Sequence, residues 1–231
     1  MLRWTVCLTT LLACASAQAA VYDAAADFTP ATTTNPNGVW SYGYDAAGDS
    51  GSYALVAFDQ FDSSPSAPNW QKNGYANLGT PTFYKAQTAP LNGLVLGQVA
   101  LHPGPAATLF VNDDAAILRF TAPGNGLYAV NSQFFASGGG GTTAWVVLNG
   151  NFGIPLAALG STGSSPSYIV PSLALSVGDT LDFVVGNAGS FFFDTTGLNV
   201  SISVVPEPAA WVLWAGGLAA LGTLARRRGR Q

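Results

Sequence analysis

The chain has 231 residues, of which 48% are hydrophobic and only 9% are charged, with 27 glycines and 14 prolines. This length allows one domain with terminal appendages, and the turn-rich, aromatic-rich composition favours a β-protein. Between Ala20 and Val204 three cations face eleven aspartates, and this net charge of −8 excludes nucleic acid as a partner.

The N-terminal segment, residues 1–19, has the features of a secretory signal peptide. Arg3 precedes an apolar run over residues 4–15, and small residues follow it. Ala17 and Ala19 fit the A-x-A pattern read by signal peptidase, so we expect cleavage after Ala19. A lipoprotein signal ending at Cys14 is the alternative. Both cysteines of the chain lie in this segment, so the mature chain would hold no thiol and no disulfide.

Aromatic residues mark the first part of the mature chain. Trp40, Tyr42 and Tyr44 alternate along the sequence, and in a strand this spacing places all three rings on one face. Trp70 follows in a polar stretch rich in proline and asparagine. One hypothesis is that these four aromatics form a platform for sugar rings. The alternative is that they belong to the hydrophobic core, where large aromatics contribute much of the buried area.

Two groups of aspartates are candidate calcium ligands. Asp45 and Asp49 lie in a glycine-rich turn, and Asp113 and Asp114 follow an asparagine. Calcium prefers oxygen ligands from aspartate, asparagine and backbone carbonyls. Neither group matches an EF-hand loop, and solvated turn aspartates explain both without a metal. We therefore expect no cofactor, with calcium as the alternative.

The sequence contains no recognisable catalytic motif. His102 is the only histidine, it precedes a Pro-Gly pair, and no serine has the G-x-S-x-G context of a nucleophile elbow. We expect His102 to make a structural hydrogen bond in a turn at the end of a strand. A glycosidase would have to use two aspartates, because residues 20–204 contain no glutamate. We predict a non-enzymatic protein, with a secreted polysaccharide hydrolase as an alternative.

Short alternating segments run from about residue 53 to residue 204. In the last of them Leu198, Val200, Ile202 and Val204 point to one face, and similar rows occupy residues 128–134 and 181–185. Further strands are predicted at residues 53–58, 94–101, 116–120, 144–148 and 168–170. Turn sequences separate them, and we expect residues 20–204 to form a jelly-roll-like antiparallel β-sandwich.

Two loops have unusual compositions. Residues 138–141 are four consecutive glycines, for which a flexible loop is the simplest interpretation. Phe191, Phe192 and Phe193 are consecutive and cannot all face inward on one strand. We expect one of these rings to lie at an edge, in a turn or in a contact with a partner.

The C-terminal segment, residues 205–231, has three parts. A short motif is followed by an apolar stretch over residues 209–225 and then by a basic cluster. Seventeen helical residues span roughly 25 Å, enough to cross a bilayer core, and the arginines would remain in the cytoplasm. The motif consists of Val205, Pro206, Glu207 and Pro208, and the basic cluster of Arg226, Arg227, Arg228 and Arg230.

This three-part tail resembles the PEP-CTERM sorting signal of Gram-negative bacteria. The resemblance implies an exosortase as a processing partner and a transient stay in the inner membrane. It also implies a precursor that faces the periplasm and then moves to the cell surface or the extracellular matrix, in species that make exopolysaccharide. An ordinary single-span anchor is the alternative.

A second resemblance covers roughly residues 94–204. Leu101-His102-Pro103-Gly104, residues 118–123 and residues 177–186 are similar to exported β-sandwich domains that carry sorting tails. These domains look like carbohydrate-binding modules in architecture. The resemblance implies this fold. We predict a non-enzymatic component of the cell surface or exopolysaccharide matrix, with glycan binding through Trp40, Tyr42, Tyr44 or Trp70 as a hypothesis. A purely structural or adhesive protein is the alternative.

Overall fold

The computed structural model describes residues 19–45, 53–73, 80–105, 114–161, 163, 165–188, 190, 192–206 and 217. The chain divides into two compact units, of which one is Val21–Val205 and the other combines Met1–Ala20 with Pro206–Gln231. Within the described residues, no helix combines the length and the apolar character needed to cross a membrane.

In the described part of the chain, the regular elements of the first unit are fourteen strands and one short helix. In chain order its elements are β1 (Val21–Asp23), α1 (Ala24–Asp27), β2 (Trp40–Asp45), β3 (Val56–Ala57), β4 (Gln60–Asp62), β5 (Asn69–Gln71), β6 (Thr82–Lys85), β7 (Val99–His102), β8 (Ala115–Thr121), β9 (Gly126–Ala136), β10 (Thr143–Leu148), β11 (Ala157–Ser161), β12 (Ser167–Leu175), β13 (Thr180–Gly186) and β14 (Thr196–Val205).

The strands form two antiparallel sheets. The eight-stranded sheet has the order β12-β9-β14-β7-β6-β5-β4, and β1 adds to the end of β14 that β7 leaves free. The six-stranded sheet has the order β11-β10-β13-β8-β2-β3. Strands β7 to β10 alternate between the sheets along the chain, with the inner faces packed together. The predicted jelly-roll-like antiparallel β-sandwich is confirmed.

The core lies between the two sheets and follows the alternation read from the sequence. On β14, Leu198, Val200 and Ile202 are buried in it, while Asn199 is exposed. The predicted rows on β9 and β13 lie in the same core, where the rings of Phe134 and Phe183 are 6.5 Å apart. Since successive strand residues point to opposite faces, each strand of this kind presents one apolar row.

Several strands differ from the prediction. The segment 53–58 forms only the two-residue strand β3, and 94–101 forms a strand only from Val99 onward. Strands β4, β5 and β6 are additional to the predicted set. Tyr53 and Leu55, which were predicted as part of a strand, pack instead on the outer face of the six-stranded sheet against Ile117 and Phe152.

A buried ion pair on the six-stranded sheet binds the segment that contains Tyr53 and Leu55. Arg119 on β8 and Asp182 on β13 are direct register partners. Arg119 donates from Nε and Nη2 to the two carboxylate oxygens of Asp182, at 2.6 and 2.7 Å, and the Tyr53 hydroxyl donates to the same carboxylate. Asp182 is fully buried, so these three hydrogen bonds compensate for the loss of water around its charge.

Candidate functional site

A groove lies on the outer face of the eight-stranded sheet, over β5, β6 and β7. Trp70, Phe83 and Leu101 point inward from these strands into the core. Their neighbours along each strand therefore point outward. The groove has a volume of about 440 Å³, which is within the roughly 300–1,000 Å³ typical of small-molecule sites. We call it the outer-face groove, and it is lined chiefly by Asn69, Gln71, Thr82, Tyr84, His102 and Phe193.

Hydrogen bonds hold several of these polar side chains in place. The Thr82 hydroxyl donates to the Trp70 carbonyl at 2.8 Å. The Tyr84 hydroxyl donates to Thr195 Oγ1 and accepts from Asn92 Nδ2, both at 3.1 Å. Side chains fixed in this way bind a ligand with little further loss of conformational entropy.

Two polar atoms of the groove lack a hydrogen-bond partner among the described residues. Asn69 donates from Nδ2 to the Ala67 carbonyl at 3.1 Å, which leaves its Oδ1 unpartnered. Thr80 is 5% exposed, and its Oγ1 also lacks a partner. Both oxygens are buried, and a buried polar group without a partner costs about 1–3 kcal/mol of stability.

Phe193 forms an apolar rim at one side of the groove. Its side chain is 75% exposed, and its backbone adopts the left-handed conformation with φ of 64°. Large side chains rarely take this conformation, and a strained, exposed aromatic residue is more common at functional sites than elsewhere. The neighbouring Phe192 is 64% exposed, so the prediction that not all of these rings face inward is confirmed.

The glycine run at residues 138–141 packs against this rim. Gly138 N–H donates to the Thr195 carbonyl at 3.0 Å, and Gly140 N–H donates to the Phe193 carbonyl at 2.8 Å. A Cβ atom on Gly138 would lie 2.1 Å from the Phe193 carbonyl oxygen. The run is a loop, as predicted, and its glycines permit a close, hydrogen-bonded approach of two backbones.

His102 lies at the end of β7 and lines the groove. Its Nδ1–H donates to the Pro103 carbonyl at 2.8 Å, so the predicted structural hydrogen bond at the strand end is confirmed. Burial lowers the pKa of His102, although the bond to Pro103 opposes that shift. The imidazole is therefore neutral at neutral pH, and its Nε2 is a hydrogen-bond acceptor.

The aromatics predicted as a glycan platform lie elsewhere. Trp40, Tyr42 and Tyr44 share one face of β2 as expected, but that face is the inner one. Trp40 and Tyr42 are 1% exposed and Trp70 is 6% exposed, while Tyr44 is partly buried against the same core. A sugar ring cannot stack on a buried face, so this placement contradicts the platform hypothesis and supports the core alternative for these residues.

Two of the four predicted calcium ligands are described. Asp45 and Asp114 are adjacent, and Asp114 N–H donates to the Asp45 carbonyl at 2.9 Å. The Lys72 ammonium lies 2.8 Å from Asp114 Oδ1, so a cation already neutralises that carboxylate. Asp49 and Asp113 lie outside the described residues. Among those that are described, no three His, Cys, Asp or Glu side chains cluster as a metal site would require. Calcium binding stays a prediction.

The residues predicted for sorting fall almost entirely outside the described ranges. Val205 is the last residue of β14, and Pro206 follows it without regular structure. Ala19 is described and lies just before β1. The sorting residues outside the described ranges are Ala17, Glu207, Pro208, Arg226, Arg227, Arg228 and Arg230.

No protein-family model matches the chain, and no curated protein matches it. Part of the chain is similar to solved structures at low identity. The carbohydrate-binding module CBM51 of a Clostridium perfringens GH95 protein, solved with methyl-galactose, is 14% identical over 46% of this chain and 69% of its own, with a TM-score of 0.32. A family 35 carbohydrate-binding module from Clostridium thermocellum is 15% identical over 45% of this chain and 86% of its own, with a TM-score of 0.26.

A third similar structure is a Podospora anserina GH26-CBM35 β-(1,4)-mannanase, at 18% identity over 55% of this chain with a TM-score of 0.30. The match spans only 28% of the mannanase chain. Similarity at this level does not locate a site, so the function of this chain has to be argued from its own residues.

Proposed function

We propose that this protein is an exported, non-enzymatic component of the cell surface or the exopolysaccharide matrix, and that it binds glycans through the outer-face groove. The observation that carries the proposal is the combination of a polar groove floor with the exposed ring of Phe193 at its rim. Export and sorting rest on the signal peptide and the C-terminal tail, with signal peptidase, the inner membrane and exosortase as transient partners.

The groove has the two features that sugar recognition needs. A pyranose ring presents hydroxyl groups around its edge and C–H groups on its faces. The amides of Asn69 and Gln71 offer donors to such hydroxyls, and the hydroxyls of Thr82 and Tyr84, which already donate within the protein, offer acceptor lone pairs. The exposed face of Phe193 offers an apolar surface to the C–H groups.

The described lining of the groove supplies binding groups and no paired acid and base. Glycoside hydrolysis generally uses two carboxyl groups on either side of the scissile bond. Of the described residues in the lining, none is an aspartate or a glutamate. We therefore place glycan binding ahead of polysaccharide hydrolysis.

Affinity electrophoresis tests the proposal. The purified protein is run through gels that contain exopolysaccharide from the producing organism. We expect retardation, and at least a tenfold weaker apparent affinity for Phe193→Ala, because the variant loses the apolar surface at the rim. Phe193→Trp retains that surface and should preserve binding.

Ile154→Ala is the matched control for this experiment. Ile154 is 77% exposed, like Phe193, but lies in the loop between β10 and β11 of the other sheet. Its removal should leave the retardation unchanged. Absence of retardation for the unmodified protein, or equal effects of Phe193→Ala and Ile154→Ala, would contradict binding at the groove.

A purely structural or adhesive role is the second candidate, and the burial of Trp40, Tyr42 and Trp70 favours it. These rings contribute to a well-packed core and to nothing on the surface. Under this alternative the electrophoretic mobility is the same with and without exopolysaccharide in the gel.

A further inference from the structure

We propose that the glycan bound in the outer-face groove is neutral, without uronic acid, sulfate or other anionic groups in the bound segment. The inference rests on the proposed glycan-binding function and specifies its ligand class. Three observations support it. The described groove lining is uncharged, the three cations of the domain are engaged in other contacts, and the domain has a negative net charge.

The groove lining is polar and uncharged. Of its described residues, none has an aspartate, glutamate, lysine or arginine side chain. His102 is the one titratable base there, and its Nδ1–H already donates to the Pro103 carbonyl. An anionic sugar would lose its hydration on entering such a groove and would gain no charged partner in return.

All cations of the mature domain are engaged elsewhere. Residues 20–204 contain only Lys72, Lys85 and Arg119. Lys72 contacts Asp114 at 2.8 Å, and Arg119 forms its two hydrogen bonds with Asp182. Lys85 Nζ donates to the backbone carbonyls of Ala25 and Phe28, at 2.6 and 3.0 Å.

None of these three contacts is a contact with the groove. Recognition of carboxylate or sulfate groups ordinarily depends on arginine or lysine. The three cations of the domain are therefore not placed to pair with an acidic sugar in the groove.

The net charge of the domain also disfavours an anionic glycan. Eleven aspartates and three cations leave −8 between Ala20 and Val204, so the field around the domain repels polyanions. A neutral polymer experiences no such repulsion. Its hydroxyls match the amide and hydroxyl groups of the groove lining.

Anion-exchange chromatography of the producing organism's exopolysaccharide supplies the probes, a neutral fraction and an acidic fraction. Affinity electrophoresis of the purified protein is then run in each fraction, at low and high salt. We expect the neutral fraction to retard the protein equally at both salt concentrations. The acidic fraction should give an apparent affinity at least tenfold weaker. Phe193→Ala should reduce the retardation by the neutral fraction tenfold or more, and Ile154→Ala should not.

The other outcomes separate the inference from the proposed function. Retardation by the acidic fraction that disappears when salt shortens the Debye length from about 30 Å to about 3 Å would overturn the neutral-ligand inference and leave glycan binding intact. Retardation by neither fraction would overturn both. Equal loss of retardation in Phe193→Ala and Ile154→Ala would show binding outside the groove and would overturn the inference as stated.

Discussion

Asp194 stands out among the individual residues because its carboxyl group is buried without compensation. The residue is 1% exposed, and neither Oδ1 nor Oδ2 has a hydrogen-bond partner among the described residues. Burial raises the pKa of Asp194 from 3.8 to about 7. In the folded protein this side chain is therefore a neutral acid at acidic pH, and it becomes a buried charge as the pH rises.

This pKa predicts a pH dependence of stability. The folded state binds the Asp194 proton more tightly than the unfolded state does, so the contribution of Asp194 to the free energy of unfolding should decrease between about pH 4 and pH 7 and change no further above that range. The lowered pKa of His102 acts in the opposite sense, and comparison with Asp194→Asn isolates the contribution of Asp194. At about 1.4 kcal/mol per pKa unit the decrease is up to about 4 kcal/mol. In Asp194→Asn the side chain is uncharged at every pH, so this variant should lose this pH dependence. It should also be more stable than the unmodified protein at pH 8.

Thermal unfolding followed by circular dichroism, from pH 4 to pH 8, measures the effect. Asp62→Asn is the control, because Asp62 is exposed and its variant should retain the pH dependence. An Asp194→Asn variant that is less stable than the unmodified protein at pH 8 would contradict this account. It would show that the ionised carboxylate has a stabilising partner.

At the scale of elements, the rim of the groove depends on the glycine run at residues 138–141. A Cβ atom on Gly138 would lie 2.1 Å from the Phe193 carbonyl oxygen, whereas one on Gly141 would meet no atom within 4 Å. Gly138→Ala must displace the backbone that carries Phe193. It should destabilise the fold by about 1–3 kcal/mol, as overpacking generally does, and weaken glycan retardation about tenfold.

Gly141→Ala is the matched control, with stability and retardation close to those of the unmodified protein. Denaturant unfolding and affinity electrophoresis of the two variants give both quantities. If Gly138→Ala and Gly141→Ala behaved alike, the close approach of residues 138–141 to Phe193 would have no role in shaping the groove.

The sequence predicted most of the long strands well and the short ones poorly, and of the nine-residue strand β12 it predicted only residues 168–170. Strands β8, β9, β10, β13 and β14 carry several alternating apolar residues, and this period is visible in the sequence alone. Strands β5 and β6 are three and four residues long, too short to show a period. For the same reason Trp70, which is flanked by outward-pointing Asn69 and Gln71, looked like a surface residue and is in fact buried.

The outer-face groove could not be predicted from the sequence because it depends on long-range pairing. β5, β6 and β7 bring Gln71, Thr82 and His102 side by side, since Gln71 pairs with Thr82 and Thr82 with His102. Phe193 joins them from a loop almost a hundred residues further along the chain. The sequence feature that pointed to the groove was the run of phenylalanines at residues 191–193. It indicated an exposed ring but did not show which residues lie beside that ring.

At the scale of the whole molecule, the proposed maturation of the precursor has two steps, signal-peptide cleavage and removal of the C-terminal tail. The described domain ends at Val205, directly before the Pro-Glu-Pro motif of the predicted sorting signal. We expect the protein at the cell surface or in the matrix to begin at Ala20 and to end close to this motif. Its mass would then lack both the N-terminal segment and the arginine-rich tail.

Intact-mass spectrometry of the protein recovered from the producing organism measures both ends. Cells without exosortase activity are the control, and they should retain the full tail in the inner membrane fraction. A surface protein that still carries Arg226 and the residues after it would contradict exosortase processing and favour an ordinary single-span anchor.

The most direct test of the central claim, that the outer-face groove binds a glycan, is an NMR titration of the ¹⁵N-labelled protein with fragments of the neutral exopolysaccharide fraction. We expect saturable shifts of the backbone amides of Gln71, Tyr84 and Phe193, with those of Trp145 and Ile154 unchanged. Shifts confined to the six-stranded sheet, or no shifts at the highest fragment concentration, would contradict the claim.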